Sequence, residues 1–593
     1  MIMSCPAEVI KRRADSGFLR KLPLLRLLIL GIASLTRSPK RRFVLARSAL
    51  VSAVPIFLFY YHDPTRHFMW APDWDVRVVY EALLVFEGRA GIEYAYTGYG
   101  LFYLLAEWYR LLDLVGVLDI ISIDSIPPAP ASNAVFQELM YWARTLTLIL
   151  SSALVISLMF IAQIITGSRY YGFLAALAFS GTQSVNNHVV HLRSEMPSAL
   201  FSYLAILFIL LAVKKKADRA LSLLFIGLSS FCALFSLYSK VSSISMVLIL
   251  PLFPLFFFSA FPSAIKAPPG PIGIGAAGAL VALASAAGYV FLGPFIGSMG
   301  TGAYFYNGAI ILYIAVCIVI FCRMQDQLAS DMVSAGAAII LGLAGAQFML
   351  LGTDPHAQSV SVANHIGFLA GLKFAGAEGD MAQSAGSMSL IAGITSKLAT
   401  VITKVFSESY FNFCWVCRRP SIVYLLSLIT LGVVWRKYGT VIRLRASFLI
   451  LCLIFIEMIM RYHVFNSFYR MYVEGLLMAT TVYYIILISR KSSMTARKSL
   501  AVFTFIFAVW FWIDDVNRKM LWPTFAPHVG SLCVPEDKMP QVKDLIEHFC
   551  KMEKDFLDKV TAKMLPPGSV PPAWEDTRSF LWKDEPWRRW DDK

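Results

Sequence analysis

The chain holds 593 residues, 57% of them hydrophobic and 15% charged, with a mean hydropathy of +0.63. Soluble domains carry about 25% charged residues, so the composition excludes an ordinary soluble enzyme and describes a polytopic membrane protein. In such a chain the formal net charge of +15 belongs to cytoplasmic loops, and no alternation of basic and aromatic residues argues for nucleic acid.

Taken in order, residues 1–42 form a basic cytoplasmic segment. Lys11, Arg12, Arg13, Arg20, Lys21 and Arg26 precede a short apolar run at 27–35, and Lys40, Arg41 and Arg42 follow it. A run that short, basic on both sides, predicts an interfacial helix. The first span is then 43–60, leaving the cytoplasm, and 61–138 is a first outer loop. Within that loop the patterns at 76–86 and 99–117 predict two helices lying in the membrane interface. Spans follow at 139–165, 171–185 and 198–213, the last stopping at Lys214, Lys215 and Lys216. Further spans are predicted at 220–237, 241–261, 271–292, 309–322 and 333–351. The polar stretch 352–420 is a second large outer loop with a possible interfacial helix at 388–406. Spans at 421–435, 446–460, 471–488 and 500–513 complete an all-α domain, 43–513, of about thirteen transmembrane helices. Alternating charge puts the N-terminus in the cytoplasm and the C-terminus outside. Residues 514–593 form a small outer tail.

Nine cysteines are scattered, which excludes a disulfide-built scaffold. Cys533 and Cys550 share the tail, where a bridge and two unpaired thiols are equally open. Cys414 and Cys417 form a Cys-x-x-Cys pair with no second pair at zinc spacing, which reads as a local disulfide or two packed thiols. No internal repeat suggests a transporter's pseudo-symmetry.

The charged residues beside apolar runs gather on the outer side: Asp63, Asp73, Asp75, Arg77 and Glu81, then His188, His191, Arg193 and Glu195, then Lys240, then Arg461, His463, Arg470 and Glu474. Charge at a membrane face is costly and marks work to be done. Carboxylates and cations converging there suit transfer to a hydroxyl from a phosphate-bearing donor, with a carboxylate taking the proton and cations holding the leaving phosphate. Each residue has a plainer role. Asp73 and Asp75 are N-cap residue types. Arg193 and Lys240 suit snorkelling span ends. Histidines are commonly hydrogen-bonded structural residues, and Arg461 and Arg470 suit headgroup anchors.

The segment PDWDVRVVYEALLVFEG, followed by YTGYGLFYLL, resembles the first outer loop of the GT-C class of polyprenyl-phosphate-dependent membrane glycosyltransferases. The branch it is most similar to is that of the protein mannosyltransferases and the lipid A aminoarabinose transferase. HLRSEMPSALFSYLAIL, SLYSKVSSI and RYHVFNSFYRMYVEG resemble later family segments. The family's Asp-Glu pair stands here as Asp-Trp-Asp. The resemblance implies a hexosyl- or pentosyltransferase of the bacterial inner membrane, part of cell-envelope polysaccharide biosynthesis. It would move a sugar from a polyprenyl-phosphate donor to a periplasmic polysaccharide, lipid or protein. Asp73 or Asp75 would be the base, and Arg193, Lys240, Arg461 and Arg470 would bind the donor phosphate. Tyr99, His188, His191, Glu195 and His463 would line the substrate. Asp73 and Asp75 are also able to hold a divalent metal such as Mg2+ or Mn2+, though the pair does not demand one. An O-antigen-type ligase or polymerase and a transporter or flippase are the rival expectations.

Overall fold

The computed structural model describes residues 39–61, 64, 75–86, 98–119, 131–189, 191–214, 218–250, 252–258, 329–350, 418–459, 470–490, 493–495, 497–506 and 509. The described part is all-helical. In chain order the helices are α1 Pro39–Tyr61, α2 Asp75–Phe86, α3 Tyr99–Leu114, α4 Ala131–Thr166, α5 Arg169–Ser180, α6 Gln183–His188, α7 Glu195–Lys214 and α8 Arg219–Ser239. A 3-10 turn at Val241–Ser243 leads into α9 Ile244–Ile249 and α10 Leu252–Phe258. The later helices are α11 Ala329–Leu350, α12 Arg418–Lys437, α13 Thr440–Ile459 and α14 Met471–Arg490. Among the described residues five helices, α1, α4, α7, α8 and α14, are long and apolar enough to cross a membrane. The predicted spans at 271–292 and 309–322, the N-terminal helix, most of 352–420, the tail and the four cysteines singled out above lie outside the described residues.

The core is built around α7, α8, α4 and α14. Hydroxyls tie α7 to α8 along their length: Ser222 donates to the Ala212 carbonyl at 3.0 Å, Ser229 to Ala205 at 2.9 Å and Ser198 to Ser236 at 3.0 Å. Such bonds hold helices where burial of apolar surface adds little driving force. On its other side α8 meets α11 through glycine. A Cβ added at Gly342 would stand 2.1 Å from the Gly227 carbonyl oxygen. The turn from α4 to α5 passes through Gly167 at φ 69, a left-handed backbone that suits glycine. Ser168 then caps α5 by accepting from the Tyr171 amide. Arg47 of α1 donates to the Arg169 carbonyl at 2.9 Å, fastening that end of the bundle.

Two predicted spans are broken. The one at 171–185 ends as α5 at Ser180, and α6 begins after Gly181 and Thr182. The Thr182 hydroxyl donates to the Phe179 carbonyl at 2.9 Å, satisfying a helix end that would otherwise need the next turn. With 12 residues α5 reaches only about 18 Å, short of a bilayer's apolar core. The one at 241–261 becomes a 3-10 turn and two short helices, with Pro251, which has no amide hydrogen, between them. By contrast α7 starts earlier than its apolar run, at Glu195. An acid and Pro197 are both at home in a helix's first turn.

Candidate functional site

The site forms where α7 begins and α8 ends. Glu195 is the first residue of α7, and Lys240 follows the last residue of α8 in extended backbone. Lys240 Nζ lies 3.3 Å from Glu195 Oε1, with both side chains buried. The turn carrying the lysine is pinned from several sides. The Ser243 hydroxyl donates to the Lys240 carbonyl at 2.9 Å, and Ser198 Oγ lies 3.3 Å from the same oxygen. The Glu195 carboxylate is acted on first by Lys240, then by Arg193 and His188. Two cations and a histidine about one carboxylate are residue types able to receive an anion.

His188 closes α6 and is fully buried. Its Nδ1 stands 2.7 Å from the Ser184 carbonyl. A carbonyl only accepts, so Nδ1 carries the hydrogen, and Nε2 is the atom left to gain or lose a proton. The Ser184 hydroxyl donates to Glu474, a buried carboxylate in the first turn of α14. That turn is also clamped to α7. Tyr203 OH accepts from the Leu476 amide at 3.1 Å and donates to the Tyr472 carbonyl at 3.0 Å. Gly475 makes room for it, since a Cβ there would lie 2.4 Å from the tyrosine oxygen.

Tyr99 opens α3 and is buried. The next residue, Gly100, lies so close to α8 that a Cβ would meet Ser239 Oγ at 2.0 Å. The start of α3 therefore abuts the residue before Lys240. From the far end of α3, Arg110 stacks over the Phe86 ring at the end of α2, 4.6 Å from its centroid.

The structure thus brings together five of the residues singled out in sequence: Glu195, Lys240, Arg193, His188 and, through its helix, Tyr99. His191 is buried in the same link between α6 and α7. Arg470 is half-buried and stands just before α14, where its carbonyl accepts from the Glu474 amide at 2.8 Å. Asp75 is the first residue of α2, with its side chain outside the described residues. Asp73, Arg461 and His463 lie outside the described residues altogether. Among those described, no group of three or more His, Cys, Asp or Glu is placed to hold a metal ion.

Sequence inspection passes over three contributors. Ser184 and Tyr203 carry no signal, being ordinary residues in apolar runs. Arg144 does: a lone arginine inside the apolar α4 is costly and marks a specific partner. It is fully buried and donates to the Pro64 carbonyl at 3.0 Å, tying α4 to the chain just after α1.

No protein-family model and no curated protein matches the chain. Among solved structures, an archaeal oligosaccharyltransferase from Archaeoglobus fulgidus, in complex with an inhibitory peptide and a dolichol-phosphate, matches with 10% identity and a TM-score of 0.41, over 86% of this chain and 60% of that one. An Archaeoglobus fulgidus oligosaccharyltransferase in the apo form matches with 10% identity and a TM-score of 0.36, over 93% of this chain and 59% of that one. The chain covers less than two thirds of either. These are distant likenesses, and the site's chemistry rests on its own residues.

Proposed function

We propose that the chain is a GT-C-type membrane glycosyltransferase that moves a sugar from a polyprenyl-phosphate donor to a hydroxyl of a polysaccharide, lipid or protein. The observation that carries this reading is the buried Glu195–Lys240 pair with Arg193 and His188 about it, at the end of the bundle where α3 arrives. A donor phosphate entering the cluster meets Lys240 and Arg193, with Arg470, just before α14, and the sequence candidates Arg461 and His463 as further donor-binding residues.

Asp73 or Asp75 takes the proton of the acceptor hydroxyl, whose oxygen attacks the anomeric carbon. The carbon–oxygen bond to phosphate breaks, and its electron pair stays on the phosphate among the cations. The full domain has about thirteen spans and lies in a bacterial inner membrane with the site on the periplasmic side. A transporter would carry its ionised groups at mid-span. Here Glu195 and Lys240 stand at helix ends.

The test is transfer activity in membranes supplied with radiolabelled polyprenyl-phosphate sugars, comparing wild type with Asp73→Asn, Asp75→Asn and Lys240→Gln at matched expression. Loss of transfer, by about a hundredfold or more, in one aspartate variant supports the base assignment. Undiminished transfer in both aspartate variants removes this loop from the chemistry, and undiminished transfer in Lys240→Gln removes the cluster.

A further inference from the structure

The end of the bundle opposite the site carries a second concentration of charge, basic where α12, α13 and α14 end. The stretches 436–445 and 490–498 contain no aspartate or glutamate. They are drawn together at the ends of α12, α13 and α14. The Tyr438 hydroxyl donates to the Leu487 carbonyl, Arg490 acts electrostatically on Tyr438, and Arg497 donates to the Arg490 carbonyl at 3.0 Å. Arg436, Lys437, Arg490 and Arg497 are exposed there. Arg443 stands over the Trp435 ring, 5.8 Å from its centroid, and its Nε is buried with no hydrogen-bond partner among the described residues.

Exposed like charges gathered at one end of the bundle suit an external anion. The surface running on from them identifies its kind. Ile429 on α12 and Leu451 on α13 are 57% and 62% exposed. Trp435 is half exposed between the two zones and held by a hydrogen bond to Ser447 Oγ at 3.0 Å. Cations above, an amphipathic ring at the boundary and apolar side chains beneath match a phospholipid in cross-section.

We infer that the α12–α13 turn, with the end of α14, is a binding site for an anionic phospholipid, the phosphates seated on Arg436, Lys437, Arg443 and Arg490 and the acyl chains on α12 and α13. The test is native mass spectrometry of the full-length detergent-solubilised protein titrated with tetraoleoyl cardiolipin, dioleoyl phosphatidylglycerol or dioleoyl phosphatidylcholine. The first two are retained and the third is not. Each basic residue at such a surface is worth about fivefold in affinity, so Arg436→Gln/Lys437→Gln lowers retention by about tenfold or more. Both side chains are exposed, and the pair is replaced at little cost to folding. Arg443→Gln lowers retention independently, while Lys214→Gln/Arg219→Gln, at the basic ends of α7 and α8, leaves it unchanged. Equal retention of the zwitterionic lipid overturns the site, as does an equal loss in both double variants, which marks diffuse attraction. Complete displacement by millimolar inorganic phosphate overturns it in favour of a free-anion site.

Discussion

The Glu195–Lys240 pair sets a demand that single substitutions expose. A buried ion pair contributes little beyond what its desolvation costs, yet removing one partner strands the other. Glu195→Gln and Lys240→Met are each expected to lower stability by about 3–5 kcal/mol, whereas the double variant recovers much of the loss. Thermal unfolding in detergent across the four proteins checks this, and additive losses would mean the pair is not coupled. Both residues are legible in sequence as charges at the ends of apolar runs. Their pairing is not, because nothing local relates the start of one helix to the end of the next. Arg193 and His188 were equally visible as residue types, and equally unplaced.

Between elements, the sharpest constraint is the first turn of α14. Glu474 reaches Ser184 across a separation of 290 residues, and Tyr203 reaches the Leu476 amide across 273. These bonds hold the segment that delivers Arg470 against the one that delivers His188. Gly475→Ala drives a methyl group into the Tyr203 hydroxyl and is expected to cost about 1–3 kcal/mol, despite alanine's better helix propensity. Removing that hydroxyl first, with Tyr203→Phe, makes the alanine substitution cheaper, so the two changes are non-additive in a thermal-unfolding cycle. Strict additivity would separate the glycine from the tyrosine. The breaks in the predicted spans belong to this scale too. The apolar run at 246–258 continues past Pro251, because apolar content reports burial and not whether the backbone hydrogen bonds continue; the polar stretch 180–184 in the other span marks its own break.

Across the whole molecule, the two ends of the bundle divide the charge. Lys214, Arg219, Arg436, Lys437 and Arg490, with Asp218 capping α8, stand at the ends remote from the site, while Glu195, Glu474, Lys240, Arg193 and Arg470 stand at the near ends. Basic ends stay in the cytoplasm. In a cysteine-free background, a membrane-impermeant maleimide is therefore expected to label Tyr61→Cys in intact cells and Lys437→Cys only after lysis. The reverse pattern would place the site in the cytoplasm and undo the proposed donor side. From sequence alone follow the membrane class, the all-helical character of the described residues and the spans at 43–60, 139–165, 198–213, 220–237 and 471–488, because burial in lipid demands long apolar runs and closed helical hydrogen bonding. Tertiary structure alone decides which charges meet, where helices break and how α3 abuts the turn of Lys240. These depend on contacts between residues far apart in the chain, and on a glycine whose missing Cβ lets two backbones close to within a side chain's reach.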